Sequence, residues 1–225
     1  RLAVGDATVP PAVETYQVPF EKWQDERVSD DLPFGSRGGT VIRHHFPVDG
    51  EYVVRIRMQR NSLNIGHEIR GLDVVNEIDV WLDGRRLQVF TTEPRKYVNR
   101  PYTDTEDTAD AGFNVRFAAR AGTHLIGVTF RQDTWYVEGV GMSRLPVASD
   151  GYASGRQSER DYGKIQLGVE RVEIEGPFEA RTPATSPSRE RIFVCHPAKP
   201  SEEESCARKI LTTLARRAYR RPAAR

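Results

Sequence analysis

Trp135 and Tyr136 stand next to one another between Asp133 and Glu138, inside a long polar stretch. That grouping suits a saccharide, whose apolar C–H face stacks on an aromatic ring while carboxylates accept its hydroxyls. Tyr97, Tyr102, Tyr152 and Tyr162 fall in polar segments that could rim the same surface. The competing reading is that Trp135 plugs one end of the fold. Asp133, Glu138, Asp150 and Asp161 share the region, and two carboxylates about 5 to 9 Å apart would serve glycoside hydrolysis. Acids in long loops are mostly solvated, however, and none of these sits beside an apolar group that would raise its pKa. The expected site is therefore a binding surface of Asp133, Trp135, Tyr136 and Glu138, with no catalytic residue.

The other reactive residue types form no constellation. His44 and His45 are adjacent on an extended segment, so their side chains point to opposite faces. His124 opens an alternating run and reads as a hydrogen-bonded core residue; His67 and His196 lie in polar connections. Gly35-Ser-Arg-Gly-Gly39 could cradle an anion with its amides. It lacks the Lys-Ser/Thr and the strand–helix setting of a P-loop, so a turn or a loop packed on a strand is expected. Cys195 and Cys206 have ten residues between them and no C-x-x-C spacing. They are either two reduced thiols or a disulfide that clips an extended segment to the helix after it. The disulfide, which requires an oxidising compartment, is the expectation.

The elements that must position these groups are strands. From about 16 to 178 the dominant period is two. Tyr52, Val54, Ile56 and Met58 alternate with Arg55, Arg57 and Gln59. Ile78, Val80 and Leu82 lead through Asp83-Gly84 to Leu87 and Val89, and Asp-Gly between alternating runs marks a hairpin because the turn needs positive φ. Trp81 faces away from Val80 and Leu82. Phe113, Val115 and Phe117 form a second hairpin with Ile126, Val128 and Phe130 through Arg120-Ala121-Gly122-Thr123. A last strand carries Ile165, Leu167 and Val169, then Val172 and Ile174, a parity slip that predicts a β-bulge. Short strands with no helical period between them predict a mainly β chain, an antiparallel β-sandwich or jelly roll. Residues 21–39, 93–112 and 133–163 are long connections, and connections of that length usually carry function.

Residues 180–189, rich in Pro and Ser, read as a linker. Beyond it the period changes: Cys206, Ile210, Leu211, Leu214 and Ala218 recur at helical spacing, behind a predicted capping box of Ser201 and Glu204. Glu202, Glu203 and Glu204 at the start, with Arg216, Arg217, Arg220 and Arg221 at the end, complement the helix dipole. One helix cannot bury its own apolar stripe; helices of a parent chain are its expected cover. The arginine-rich end reads as a solvated face, without the aromatic residues that single-stranded nucleic acid would need.

The chain has 225 residues, 38% hydrophobic and 29% charged, which is too apolar for a disordered protein. A net charge of +1 makes no electrostatic case for nucleic acid. No apolar run approaches the roughly 20 residues that span a bilayer. Arg1 is not a start methionine and the last residues break off after a helix, so both ends read as cuts.

Leu32-Pro-Phe-Gly-Ser-Arg-Gly-Gly39, His45-Phe-Pro-Val-Asp-Gly-Glu-Tyr52 and the run from Cys206 to Pro222 resemble the central part of large multi-domain proteins of planctomycetes and acidobacteria. Those proteins are of unknown function and often carry a planctomycete-type cytochrome c domain. The resemblance spans nearly the whole chain and implies an exported parent with a helical domain beginning near Cys206. Within it, Val80-Trp-Leu-Asp-Gly84, Ala121-Gly-Thr-His-Leu-Ile-Gly-Val-Thr-Phe130 and Val169-Glu-Arg-Val-Glu-Ile-Glu-Gly176 are similar to calcium-dependent, xylan-binding carbohydrate modules. This similarity implies a sugar-binding sandwich. The chain departs from that pattern at Gln132-Asp133, where the family has Asn-Asp, and at Lys164, where a calcium-binding carboxylate is expected. An ammonium repels a cation and supplies no oxygen ligand. No bound cofactor or metal is therefore expected, and Asp133 is the one residual calcium candidate.

Together these readings predict a sandwich module over 1–179, a linker over 180–200 and a helix over 201–221 that starts a helical domain. The expected function is non-catalytic polysaccharide binding within an exported, periplasmic or cell-surface protein. The alternative is an interdomain scaffold that binds no sugar. Expected partners are a polysaccharide and neighbouring domains, with no nucleic acid and no transmembrane segment.

Overall fold

Period-two sequences become strands because every second side chain can then be buried. The computed structural model describes residues 5–19, 22, 24, 26–60, 69, 71–72, 74–94, 108–131, 167–183 and 185–219. Its strands are β1 (Ala12–Gln17), β2 (Ser36–Phe46), β3 (Asp49–Met58), β4 (Glu77–Leu82), β5 (Arg85–Thr91), β6 (Asn114–Ala119), β7 (Gly122–Arg131) and β8 (Val169–Arg181). They form two four-stranded sheets, ordered β1-β8-β3-β6 and β2-β7-β4-β5, with every pairing antiparallel. That order is a jelly roll.

The core lies between the sheets. Tyr52, Val54, Ile56 and Met58 of β3 and Val172 and Ile174 of β8 face Phe46, Ile78, Val80, Ile126, Val128 and Phe130. Each such side chain contributes about 1.5–3 kcal/mol by leaving water. The buried Tyr52 hydroxyl donates to Val48 O at 2.9 Å, and burial pushes its pKa up to about 12. The parity slip in β8 is a bulge at Glu170: Met58 pairs with Val169 and Arg57 with Arg171. Further irregularities fall in β2 between Arg37 and Thr40, in the β3–β8 pairing between Asp49 and Val53, and opposite the Val80–Trp81 step of β4.

The C-terminal part differs from expectation in two details. The stretch read as linker holds a short helix, α1 (Pro187–Ile192), with Ser186 as N-cap accepting from the Arg189 amide at 3.2 Å and Pro187 in its first turn. Helix α2 (Glu203–Tyr219) is preceded by a 3-10 turn, Pro200–Glu202, rather than by a Ser201–Glu204 capping box. Lys199 is the N-cap of that turn, with no side-chain cap, and the Glu202 carboxylate accepts from the Ala198 amide ahead of it at 3.1 Å. Cys195 and Cys206 are joined by a disulfide, with Cα atoms 5.4 Å apart. Arg217 of α2 donates to Arg191 O at 2.6 Å, so α1 lies against it. Along the stripe Cys206 is buried, Ile210 and Leu214 are half-buried and Leu211 is 65% exposed; Tyr219, at the helix end, is 77% exposed. No helix among the described residues is long and apolar enough to cross a membrane.

Candidate binding end of the sandwich

The strand pairings send the long connections to one end. Residues 18–35, 59–76, 92–113 and 132–168 all leave and rejoin the sheets where Ser36, Met58, Thr91, Arg131 and Val169 lie. The tight turns at 47–48, 83–84 and 120–121 occupy the other end. Asp133, Trp135, Tyr136 and Glu138 lie outside the described residues, as do Tyr97, Tyr102, Tyr152, Tyr162 and Lys164. Their flanks are described. The segment that carries the four candidates leaves the second sheet at Arg131 and rejoins the first at Val169.

The base of this end is polar and buried. Gln24 donates to Val169 O at 2.8 Å and accepts from the amides of Val169 (2.8 Å) and Gly39 (3.0 Å). Arg37 is 7% exposed. It donates to Leu167 O at 3.0 Å, to Gln24 O at 3.3 Å and to Asn76 Oδ1 at 3.1 Å, with its guanidinium 4.7 Å from the centre of the Phe130 ring. Asn76 in turn donates to Gly71 O and Val74 O. These bonds tie both sheets to the roots of the long connections, because buried polar groups must find partners. A second anchor is Asp110, whose carboxylate is wholly buried. It accepts from the Met58 amide at 2.9 Å, from Arg60 at 3.0 and 3.1 Å and from Arg57 at 3.4 Å. Neither Arg37 nor Asp110 was singled out from sequence. Both sit in polar stretches whose composition carries no sign of burial.

Both outer faces of the sandwich are already engaged. On the first sheet, Arg55 pairs with Glu175, Arg116 with Glu51, and Arg171 with Glu170 and Glu173. The Glu173 hydrogen bond holds the Arg171 pKa above its ordinary range. On the second sheet, Leu32 from the segment that leads into β2 lies over β7. Leu32 is buried at Gly127, where a Cβ would come within 2.8 Å of its Cδ2, and Thr129 donates to Arg37 O at 2.9 Å. The Gly-rich motif makes this contact possible: a Cβ on Gly39, at φ +78°, would meet Val128 O at 1.8 Å. The amides of Gly38 and Gly39 are spent on Glu26 O and Gln24 Oε1, so the motif is no anion cradle; nor is it the expected turn or loop, because Ser36–Gly39 form the irregular start of β2. Trp81 is half-buried on this face, with Arg86 4.9 Å from its ring centre. Beside it Asp79, 3.0 Å from Arg86, has its pKa raised because burial outweighs that cation.

His44 and His45 face opposite ways, the first buried and the second exposed, as strand geometry requires. His124 is hydrogen-bonded, at 2.6 Å to Asp83 Oδ2, while Asp83 Oδ1 accepts from the Leu125 amide at 2.9 Å. The Asp-Gly and Gly-x-His motifs are thus brought together, but at the tight-turn end, where they fasten a hairpin to a strand. Burial raises the Asp83 pKa, but the bonds from His124 and Leu125 outweigh it and the net shift is downward. Among the described residues, no three His, Cys, Asp or Glu side chains gather as metal ligands. Neither the models of known protein families nor the curated protein sequences gave a match to this chain.

Proposed function

We propose that the jelly roll is a non-catalytic carbohydrate-binding module of an exported multi-domain protein, and that it takes polysaccharide at its loop-bearing end. The observation that supports this reading most is topological. The segment with Asp133, Trp135, Tyr136 and Glu138 is rooted at the end where the long connections converge, while ion pairs and a packed loop occupy the outer sheet faces. A buried hydrogen-bonded base under such loops lowers the ordering cost of binding. The Cys195–Cys206 disulfide suits an oxidising compartment. Trp135 and Tyr136 would stack on sugar rings, and Asp133 and Glu138 would accept hydroxyls.

The test is affinity electrophoresis or calorimetry against soluble xylans, glucans and mannans, with wild type and Trp135→Ala. Stacking predicts a loss on the order of tenfold for the variant, roughly 1–3 kcal/mol. Chelator should change little, since Lys164 stands where a calcium ligand would be needed. No retardation on any polysaccharide would leave the interdomain scaffold as the better reading. The exposed Leu211 and Tyr219 of α2 favour that second reading, as apolar surface that another domain would cover.

A further inference from the structure

We propose that Glu14, Tyr16 and His44 form a proton-sensitive latch that fastens edge strand β1 to the opposite sheet. β1 is the lightly held strand of the fold: of its six residues only Tyr16 is even half-buried. It pairs through its backbone with Arg171–Gly176 of β8, and Tyr16 reaches across to β2 of the other sheet. The Tyr16 hydroxyl lies 2.8 Å from Glu14 Oε2 and 2.9 Å from His44 Nδ1.

A phenol has one hydrogen to give. A carboxylate can only accept, so Tyr16 donates to Glu14 and His44 donates from Nδ1 to the Tyr16 oxygen. The relay therefore fixes His44 as the Nδ1–H tautomer. Its ring is 4% exposed as a residue and packs edge-on against Phe46, with centroids 4.5 Å apart. A further proton would be taken by the second ring nitrogen, Nε2.

A second proton would put a charge at that site. From β1, Glu14 at 3.5 Å favours it and Tyr16 is neutral, its own pKa raised to about 12 by burial and by Glu14. From β2 the neighbouring His45 opposes it, and from β7 so does His124, the cross-strand partner of His44, which is itself bonded to Asp83. Burial is the largest influence and sets the direction: the His44 pKa is lowered.

With β1 detached, His44 is hydrated and titrates near its ordinary value of about 6.5. The latched state binds the proton more weakly than the open one. Latching is therefore complete above about pH 6.5 and weakens as pH falls toward the lowered value. Between the two values the open population rises by up to tenfold per pH unit. Opening bares the Arg171–Gly176 edge of β8 for pairing with another strand.

Amide hydrogen exchange read by mass spectrometry tests this. Protection factors for 12–17 and 171–176 are compared at pH 7.5 and 5.5 after correction for intrinsic rates, with β3 as internal control. Wild type should lose several-fold protection in β1 at pH 5.5 while β3 does not change. Tyr16→Phe should lose protection at both values, and His44→Gln should lose the pH dependence. Equal β1 protection at the two pH values in wild type overturns the latch. So does an undiminished pH dependence in either variant.

Discussion

Asp110 offers the sharpest test of how the binding end is built. Replacing it with Ala removes a buried carboxylate that accepts from the Met58 amide at 2.9 Å and from Arg60 at 3.0 Å. Breaking a buried ion pair costs about 3–5 kcal/mol, because the remaining charge keeps its desolvation penalty. A buried amide left without an acceptor costs about 1–3 kcal/mol. These costs overlap, and Glu170 stays 3.7 Å from Arg60 to offset part of the loss. The expected net destabilisation is therefore near the lower bound, about 3 kcal/mol. For a domain of this size that lowers the melting temperature by roughly 6–12 °C. Urea unfolding followed by tryptophan fluorescence would measure it, with an unchanged slope showing that two-state behaviour persists. Pairing Asp110→Leu with Arg60→Met should recover a large part of the loss, since both charges then leave the interior together. A loss under about 1 kcal/mol for Asp110→Ala would refute the assignment of this carboxylate as an anchor.

Two glycines with nearly the same φ should behave differently. At Gly84 a Cβ meets nothing within 4 Å, so Gly84→Ala should cost only the left-handed strain of about 1–2 kcal/mol. At Gly39 the same strain is joined by a collision with the Val128 carbonyl, so Gly39→Ala should cost more than about 3 kcal/mol or fail to fold; equal melting temperatures would contradict this packing. Reducing the Cys195–Cys206 disulfide should loosen the segment around α2 by about 2–3 kcal/mol while the sandwich transition stays in place. Calorimetry with and without reductant checks it, and a shift in the main transition would show that the two parts unfold together.

Much of the local structure was legible in the residues themselves. Alternation in Tyr52–Met58 and Ile78–Leu82, the Asp83-Gly84 turn and the parity slip before Val172 follow from a side-chain period of two and from the backbone needs of a tight turn. The same period separated buried His44 from exposed His45. α1 is hidden for the opposite reason: Pro and Ser break elements, although Ser before Pro is also a helix start. Tertiary structure decided everything that depends on which strands meet: β6 and β7, expected as a hairpin, lie in different sheets, β6 against β3 and β7 between β2 and β4. Only the order β1-β8-β3-β6 over β2-β7-β4-β5 gathers the long connections at one end. Only folding turns Arg37, Asp110 and Gln24, ordinary polar residues in polar stretches, into a buried foundation. Tyr16 and His44 are 28 positions apart and meet across two sheets. Period and turn chemistry act over a few residues, whereas burial of a charge or an imidazole depends on atoms brought from distant parts of the chain.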